Sequence, residues 1–320
     1  MLTRPFRFMP ILKRTMWGGA RLLALKGCKP MAQGVGESWE ISGLRSWESV
    51  VADGPDKGLT ITQLIARHGE ALMGKGPYRR LGGKFPLLIK FLDAGHDLSV
   101  QVHPDERMAA EDPACNVKNE TWYVIDSYPG SKIYLGFNRA MDPAEFDRRV
   151  ADSSIMECIT AHESAPGKLF NVPSGTIHAL GAGNFVVEIQ GCSDDTYRVY
   201  DFDRTDVNGQ PRLLHLDQAR RALDFSQFDN DESLRRGLRI DGELIDINVH
   251  DINGSESISL PADSFTVLIS LKGRQRITYA SEDFTLTQGS TVLLPADVTA
   301  INTTGRGELM TVALHDNPAV

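Results

Sequence analysis

The sequence predicts a mainly β protein with two β domains and a few helices. Most of the chain consists of short apolar or alternating segments that end at Gly, Pro, Asn or Asp, which is typical of a β-sandwich or barrel. Its 320 residues suit two domains of ordinary size better than one. The stretch 229–237 is polar and charged, so we interpret it as a linker and predict domains 1–230 and 231–320.

The elements of the first domain have local signals. Helices are predicted at 61–72, around 146–150 and at 217–222, and the first of them opens with a capping box made by Thr60 and Gln63. The predicted strands of this domain are 85–93, 98–103, 121–125 and 185–190.

Composition excludes several classes of partner. The net charge of -8 argues against nucleic-acid or anionic-membrane binding, because both require a basic surface. No apolar run has membrane-spanning length, and the four cysteines lack CxxC spacing. We expect a cytoplasmic protein that binds neither nucleic acid nor membrane and captures any anionic substrate with local cations. The oligomeric state stays open.

Two residues of the segment LSVQVHPDE indicate a metal site. Side chains alternate between the two faces of a strand, so Gln101 and His103 share one face while Val100 and Val102 turn to the other. Pro104 ends the strand because proline cannot donate to the sheet ladder. The pattern therefore predicts a Gln and His pair on one face.

The segment PGKLFNVPSGTIHALG supplies a second histidine. Pro173 and Gly175 have the spacing of a turn that returns the chain into a barrel, so His178 would point inward. This spacing resembles the second cupin motif, and Gly95 followed by Gln101 matches the first motif in part. We therefore predict a cupin domain, that is, a double-stranded β-helix or jelly roll.

A further ligand is best supplied by Glu120, which begins the neighbouring predicted strand in VKNETWYVI. With Gln101, His103 and His178 it would give two imidazole nitrogens and two oxygens, a set that suits zinc. Because Glu120 is the only anion, a divalent ion would keep a formal charge of about +1 and remain a strong Lewis acid. We expect one Zn²⁺ per chain, although other divalent metals also suit these ligands.

The second domain repeats the cupin turn without its ligands. The spacing from Gly289 to Pro295 is kept, but Asp297 and Ala300 stand where the Gly and the His would be. We predict a cupin-like β domain without metal ligands, and its strands are expected at 264–277, 284–286, 291–294 and 309–314.

Seven segments together resemble a known enzyme family. They are, in order, MWGGARL, GESWEIS, FPLLIKFLDA, LSVQVHPDE, KNETWYVI, VPSGTIHALG and EIQGCSDDTYRVYDFDR. The chain resembles the class I mannose-6-phosphate isomerases, in particular their short bacterial form, over residues 5–225. The resemblance implies a zinc-dependent aldose-ketose isomerase that interconverts mannose 6-phosphate and fructose 6-phosphate through an enediolate.

The resemblance also implies roles for individual residues. The positions that match the family's active site are Gln101, His103, Glu120 and His178 for the metal, Arg198, Lys90 and Asp194 for catalysis, and Ser99 and Lys118 for the substrate.

The chemistry of these residues does not decide which group transfers the proton. A guanidinium does not usefully deprotonate, so Arg198 would stabilise the enediolate, unless it only forms a structural ion pair with Asp194 or Asp201. Burial beside a metal and Arg198 would lower the pKa of Lys90 and suit a general base; alternatively, Lys90 holds the phosphate with Ser99. Asp194 and a metal-bound hydroxide are the rival bases.

Two other functions compete with the isomerase. A non-catalytic sugar-phosphate-binding or regulatory cupin would keep the pocket but lose Arg198 or a ligand, and all are present. An iron dioxygenase on the same scaffold would need open positions for oxygen and would have no reason to keep the neutral Gln101.

Overall fold

The computed structural model describes residues 1–29, 34–205 and 209–315. The strands are β1 (Ile11–Gly19), β2 (Val35–Ser42), β3 (Leu87–Asp93), β4 (Val100–Val102), β5 (Glu120–Ser127), β6 (Lys132–Phe137), β7 (Ile159–Glu163), β8 (Leu169–Val172), β9 (His178–Leu180), β10 (Asn184–Gly191), β11 (Tyr197–Tyr200), β12 (Leu238–Ile240), β13 (Glu243–Ser259), β14 (Thr266–Tyr279), β15 (Glu282–Thr287), β16 (Thr291–Leu294) and β17 (Ala300–Leu314).

The helices are short. They are α1 (Arg21–Leu25), α2 (Ile61–His68), α3 (Glu70–Met73), α4 (Lys75–Arg80), α5 (Glu106–Glu111), α6 (Pro143–Ala151), α7 (Leu216–Ala222) and α8 (Asn230–Arg236), with 3-10 turns at Arg45–Trp47 and Ile155–Cys158. None of the helices in the described ranges is long and apolar enough to cross a membrane.

The strands form three sheets, and the prediction of a mainly β fold is confirmed. The first has the order β1-β2-β3-β10-β5-β8, and the second has the order β11-β4-β9-β6-β7. The third has the order β12-β13-β17-β14-β15, with β16 paired to β14.

Contacts divide the described residues into two compact units, each made of separate stretches of chain. Unit 1 comprises Met1–Ile11, Trp39–Ile89 and the described part of Arg239–Val320. Unit 2 comprises the described parts of Leu12–Ser38 and Lys90–Leu238. The sequence predicted a single boundary near residue 230. Composition along the chain does not reveal that Met1–Ile11 and Trp39–Ile89 belong to the same unit as the segment that begins at Arg239.

Unit 2 contains a two-layer β core. Trp122 and Phe170 of the first sheet are buried in one apolar cluster with Ile133, Leu135 and Leu180 of the second. Because each sheet hides one apolar face against the other, the two layers form the predicted jelly roll.

The opposite face of the second sheet is covered by helices. Val100 and Val102 of β4 and Val199 of β11 lie in a second buried cluster with Phe146 of α6 and Ala219 of α7. Since side chains alternate along a strand, the residues between these valines face the interior of the roll. Unit 2 therefore directs Gln101 of β4 into the interior of the roll, and Arg198 of β11 is its partner in the strand pair.

Unit 1 is organised around three long antiparallel strands. Strand β13 pairs with β17 from Ile245 opposite Leu314 to Ser259 opposite Ala300, and β17 pairs in turn with β14. Their apolar side chains form a third cluster that includes Leu268.

The predicted helices are present, with one difference in extent. At α2 the Thr60 hydroxyl accepts from the Gln63 amide, and the Gln63 side chain accepts from the Thr60 amide, which completes the capping box. The helix ends at His68 instead of residue 72, because Gly69 adopts a positive φ of 47° and the chain restarts as α3. The single helix predicted over 61–72 was therefore wrong in length.

The stretch 229–237, which we interpreted as a linker, is not irregular chain, because Asn230–Arg236 form α8. The Asp229 carboxylate caps the helix by accepting from the Glu232 amide at 3.0 Å. The helix is further stabilised by its dipole, which interacts favourably with the acidic residues of the first turn and with Arg235 and Arg236 of the last turn. An exposed helix and a linker share this polar composition, so composition alone did not distinguish them.

Candidate metal centre

Strands β4 and β9 bring the first ligand candidates together. Gln101 of β4 pairs with His178 of β9, and the neighbouring Val100 and Val102 face the helices. His103 follows directly after β4 and is fully buried. The strand predicted over 98–103 is shorter than expected, but the alternation that places Gln101 and His103 on the inner face is present.

A glycine turn sets the direction of His178. Gly175 has a positive φ of 78°, and its amide donates to the His103 carbonyl at 3.0 Å. The turn is closed by the Thr176 amide, which donates to the Pro173 carbonyl at 3.1 Å. The Pro and Gly of the motif thus deliver His178 to the first position of β9.

Three buried side chains converge in the interior of unit 2. The ligand atoms of His103, Glu120 and His178 all lie within 4.8 Å of one another. His103 Nε2 is 3.3 Å from one Glu120 oxygen, and His178 Nε2 is 3.5 Å from the other. The Gln101 amide nitrogen lies 3.2 Å from His178 Nε2, so a half-turn of the amide would present its oxygen to the same point.

The outer ring nitrogens fix how the imidazoles are presented. His103 Nδ1 donates to the Asp195 carbonyl and His178 Nδ1 to the Thr176 carbonyl, both at 2.8 Å. Burial and the nearby Lys118 ammonium lower the pKa of His103 to about 4, and burial also lowers the pKa of His178. Both rings are therefore neutral and turn Nε2 towards Glu120, as metal-binding histidines do.

The Glu120 carboxylate fits a cation. Both of its oxygens are buried and accept no hydrogen bond of good geometry in the described structure, although Lys118 Nζ lies 2.9 Å from one of them. Burial alone would raise its pKa, but Lys118 holds the pKa of Glu120 well below the ordinary value. A buried anion beside two neutral imidazoles and an amide is a donor set that suits zinc.

Arg198 lies next to the ligands. On β11 it pairs with Gln101 of β4, its Nε is 3.3 Å from the Ser99 hydroxyl, and its Nη1 donates to the Leu213 carbonyl at 2.8 Å. Burial, followed by the neighbouring Arg212, lowers the pKa of Arg198, yet a guanidinium remains cationic at neutral pH.

The alternative of a structural ion pair for Arg198 is wrong for the residues that the structure describes. Asp201 instead pairs with Arg204 and Arg212, with nitrogen to oxygen contacts of 2.6 Å in each case. Arg198 has no carboxylate of the described chain within 4.0 Å, so no ion pair there neutralises its charge.

Lys90 is buried between carboxylates. Its Nζ is 2.7 Å from Glu188, 3.9 Å from Glu37 and 2.6 Å from the Gln190 side-chain oxygen, to which it donates. Burial alone would lower the pKa of Lys90, but Glu188 and Glu37 outweigh it and raise the pKa. Burial thus acts in the expected direction, and the two carboxylates, which the sequence did not predict, act against it.

The remaining predicted residues divide into two groups. Lys118 and Ser99 are buried beside the cluster, and Lys118 Nζ is also 3.1 Å from His103 Nε2. Asp194 is exposed in the loop after β10, and its charge acts on the Lys13 ammonium. Proximity thus groups Lys118 and Ser99 with the cluster but leaves Asp194 at the surface.

Sequence reasoning missed the partners of Lys90. Glu188 and Gln190 alternate along β10 with buried Val187 and Ile189, so the two polar residues share a face. That alternation was a usable signal in EIQG, but linking it to Lys90 required the knowledge that β10 lies beside β3.

Comparison with known proteins gives consistent matches over nearly the whole chain. Residues 6–127 match the family described as phosphomannose isomerase type I, catalytic domain. The chain is 35% identical over 307 residues to a putative mannose-6-phosphate isomerase of Bacillus subtilis, covering 93% of this chain and 95% of that protein. It is 33% identical over 323 residues to the mannose-6-phosphate isomerase of Streptococcus mutans, with 99% of each covered.

The fold also matches a solved structure. The crystal structure of the mannose 6-phosphate isomerase from Bacillus subtilis superposes with a TM-score of 0.81 at 30% identity, covering 96% of this chain and 99% of that chain.

Proposed function

Because this chain belongs to the type I phosphomannose isomerase family, we propose that it interconverts mannose 6-phosphate and fructose 6-phosphate in the cavity of unit 2. The observation that carries the proposal is the buried group formed by His103, Glu120 and His178. Arg198 lies close to this group, because β11 pairs with β4 and places Arg198 opposite Gln101. The reaction removes a proton from C2 of the open-chain aldose and returns a proton to C1, with an enediolate between the two steps.

The proposed metal ligands are Gln101, His103, Glu120 and His178, and the proposed ion is zinc. The buried Glu120 oxygens and the Nε2 atoms that face them support this assignment. Zinc held by these residues would supply a Lewis acid that stabilises negative charge on the substrate oxygens. The degenerate turn near Pro295 supports placing the metal in unit 2 only.

We assign enediolate stabilisation to Arg198. The Leu213 carbonyl and the Ser99 hydroxyl hold its guanidinium, so little reorganisation is needed when negative charge develops. Ser99 and Lys118 are the proposed substrate-binding groups, since each carries a buried donor beside the ligands.

We assign the proton transfer to Asp194 and the role of a fixed cation to Lys90. Support for Lys90 comes from its two carboxylate neighbours, which keep it protonated and unsuited to act as a base. Support for Asp194 comes from its place in the chain, since the next residue, Asp195, contacts His103 Nδ1 through its carbonyl at 2.8 Å and the exposed Asp194 carboxylate therefore lies on the loop that borders the site.

A coupled assay with mannose 6-phosphate tests the proposed function. The zinc-loaded protein is expected to form fructose 6-phosphate, to lose this activity on chelation, and to regain it when zinc is restored. A protein that binds sugar phosphate but gives no product in the zinc-loaded form would instead be a non-catalytic binding cupin.

Variants of the two assigned groups test their roles. Arg198→Ala is expected to lower kcat by about 10² to 10³, the usual cost of a lost oxyanion donor. Asp194→Asn is expected to lower kcat with little change in KM. Arg148→Ala, an exposed arginine of α6, serves as the control and should keep normal turnover. A near-normal kcat in Arg198→Ala or in Asp194→Asn would contradict the role assigned to that residue.

A further inference from the structure

We propose that Asp195 is a positioning residue that holds His103 for metal binding through a clamp with Asn116. This inference rests on the proposed metal site and concerns residues outside the proposed ligand set. We call the contacts between Asp195 and Asn116 the Asp195 clamp.

Asp195 makes contacts in two directions. Its backbone carbonyl accepts from His103 Nδ1 at 2.8 Å. Its carboxylate Oδ2 accepts from the Asn116 backbone amide at 2.8 Å and from the Asn116 side-chain amide at 3.1 Å. One residue thus links the outer nitrogen of a proposed ligand to a different stretch of chain.

That stretch leads directly into two further site residues. Asn116 precedes Lys118 by two positions and Glu120 by four. The Asp195 clamp therefore couples the loop after β10 to the chain that carries the carboxylate ligand. A movement of either segment would change the distance between His103 Nε2 and the Glu120 oxygen, which is 3.3 Å here.

Other hydrogen bonds hold the loop between β10 and Asp195. Gln190 Nε2 donates to the Gly191 carbonyl at 2.8 Å and to the Ser193 carbonyl at 2.6 Å. The Ser193 hydroxyl accepts from the Asp195 amide at 3.1 Å and donates to the Asn116 carbonyl at 3.3 Å. The loop thus has one anchor at β10 and another at the Asp195 clamp.

The energetic reason for such a clamp lies in the burial of His103. Its side chain is fully buried, so its Nδ1–H has no access to water and depends on the Asp195 carbonyl. That carbonyl selects the tautomer that leaves the Nε2 lone pair for a cation. Asn116 itself is exposed, so the clamp can be weakened without opening the core.

The test compares zinc affinity with the stability of the metal-free protein. Wild type, Asp195→Ala and Asn116→Asp are titrated with zinc against a competing chelator, and their metal-free forms are unfolded in urea. Asp195→Ala is expected to raise the Kd for zinc by about tenfold or more, as loss of groups that orient ligands usually does. The visible spectrum of the cobalt-substituted variant should also change, because the geometry of the ligands changes.

Asp142→Ala is the matched control. The Asp142 carboxylate also accepts from a backbone amide, that of Glu145 at 2.8 Å, but at the start of α6. This variant should lose stability through the lost helix cap and keep the wild-type Kd for zinc and the wild-type cobalt spectrum.

Asn116→Asp keeps the inference testable even where Asp195→Ala does not fold. It places two carboxylates against each other at an exposed position, and its Kd for zinc is expected to rise. A wild-type Kd in this variant overturns the clamp. If wild type itself binds no zinc, the proposed metal site fails instead, so the two failures are distinguishable.

Discussion

At the scale of single residues, the buried ammonium of Lys90 shows how charge is balanced beside the metal centre. Glu188 contacts Lys90 through one carboxylate oxygen, and its other oxygen accepts from the Trp122 indole at 3.0 Å. The Trp122 ring in turn meets His178 edge-on at 5.6 Å. A buried pair of this kind is costly to break from one side, because the remaining charge loses its nearest compensating charge.

Removal of one partner is therefore expected to destabilise the protein strongly. We predict that Glu188→Gln lowers the free energy of unfolding by about 3 to 5 kcal/mol in urea titrations. The double variant Lys90→Met with Glu188→Gln should recover most of this loss, because the buried ammonium is removed together with its nearest carboxylate. Glu163→Gln, which affects an exposed pair with Lys132, should cost less than about 1 kcal/mol. A Glu188→Gln variant as stable as this control would contradict the prediction.

The ligand candidates could be predicted from sequence because strand parity determines which side chains share a face. Gln101 and His103 needed only the alternation of one strand, and His178 needed only the spacing of one turn. The partners of Lys90 and Arg198 come from strands and loops distant in sequence, and no local pattern specifies which strands become neighbours.

At the scale of elements, the turn before β9 connects backbone conformation to the metal centre. Gly175 is held on both sides, since its amide donates to the His103 carbonyl and its carbonyl accepts from the Asp224 amide at 2.9 Å. An added Cβ would lie 3.0 Å from the Ala222 carbonyl oxygen at a positive φ. Both strain and crowding therefore favour glycine here.

We predict that Gly175→Ala costs about 1 to 3 kcal/mol of stability and also weakens zinc binding, since the strained turn leads into His178. Gly167→Ala is the matched comparison, because Gly167 has a φ of 88° but no atom within 4 Å of an added Cβ. It should lose stability through φ alone and keep the wild-type Kd for zinc. Equal zinc affinities in the two variants would contradict the predicted effect of this turn on zinc binding.

Prediction from sequence succeeded at element scale where a residue type has one structural use. The pairs Thr60 with Gln63 and Pro173 with Gly175 were identified correctly because capping and left-handed turns restrict residue choice. The helix at Asn230–Arg236 was missed because its apolar face is minimal, although the Asp229 cap was present in the sequence.

At the scale of the whole molecule, metal binding and folding of unit 2 are linked. The four proposed ligands come from three different places in the chain, around β4, β5 and β9, and they meet only when the jelly roll is formed. An ion that binds the folded state alone stabilises it by mass action, by about 2.7 kcal/mol at a hundredfold excess over Kd.

We predict that zinc at this excess raises the thermal midpoint of the chelated protein by about 5 °C. Glu120→Gln should abolish the shift, because it removes the only anionic ligand. Glu145→Gln, in the exposed first turn of α6, should keep it. Differential scanning calorimetry measures both, and a zinc-induced shift that survives in Glu120→Gln would place the binding elsewhere.

The two-unit organisation was the hardest feature to predict, because it depends on pairings between the two ends of the chain. Phe6 exchanges backbone hydrogen bonds of 2.8 and 2.9 Å with Leu293, and both residues lie in unit 1. Composition and local periodicity contain no information about such distant partners.

This pairing has a consequence for synthesis on the ribosome. Unit 2 has its last segment once Leu238 has emerged, whereas Phe6 must wait until Leu293 is made. At about 5 to 20 residues per second the delay is roughly 15 to 60 s. During that time Phe6 lacks the strand residue with which it pairs. The chain therefore has an order of assembly in which unit 2 can form first and the pairing of Phe6 with Leu293 forms last.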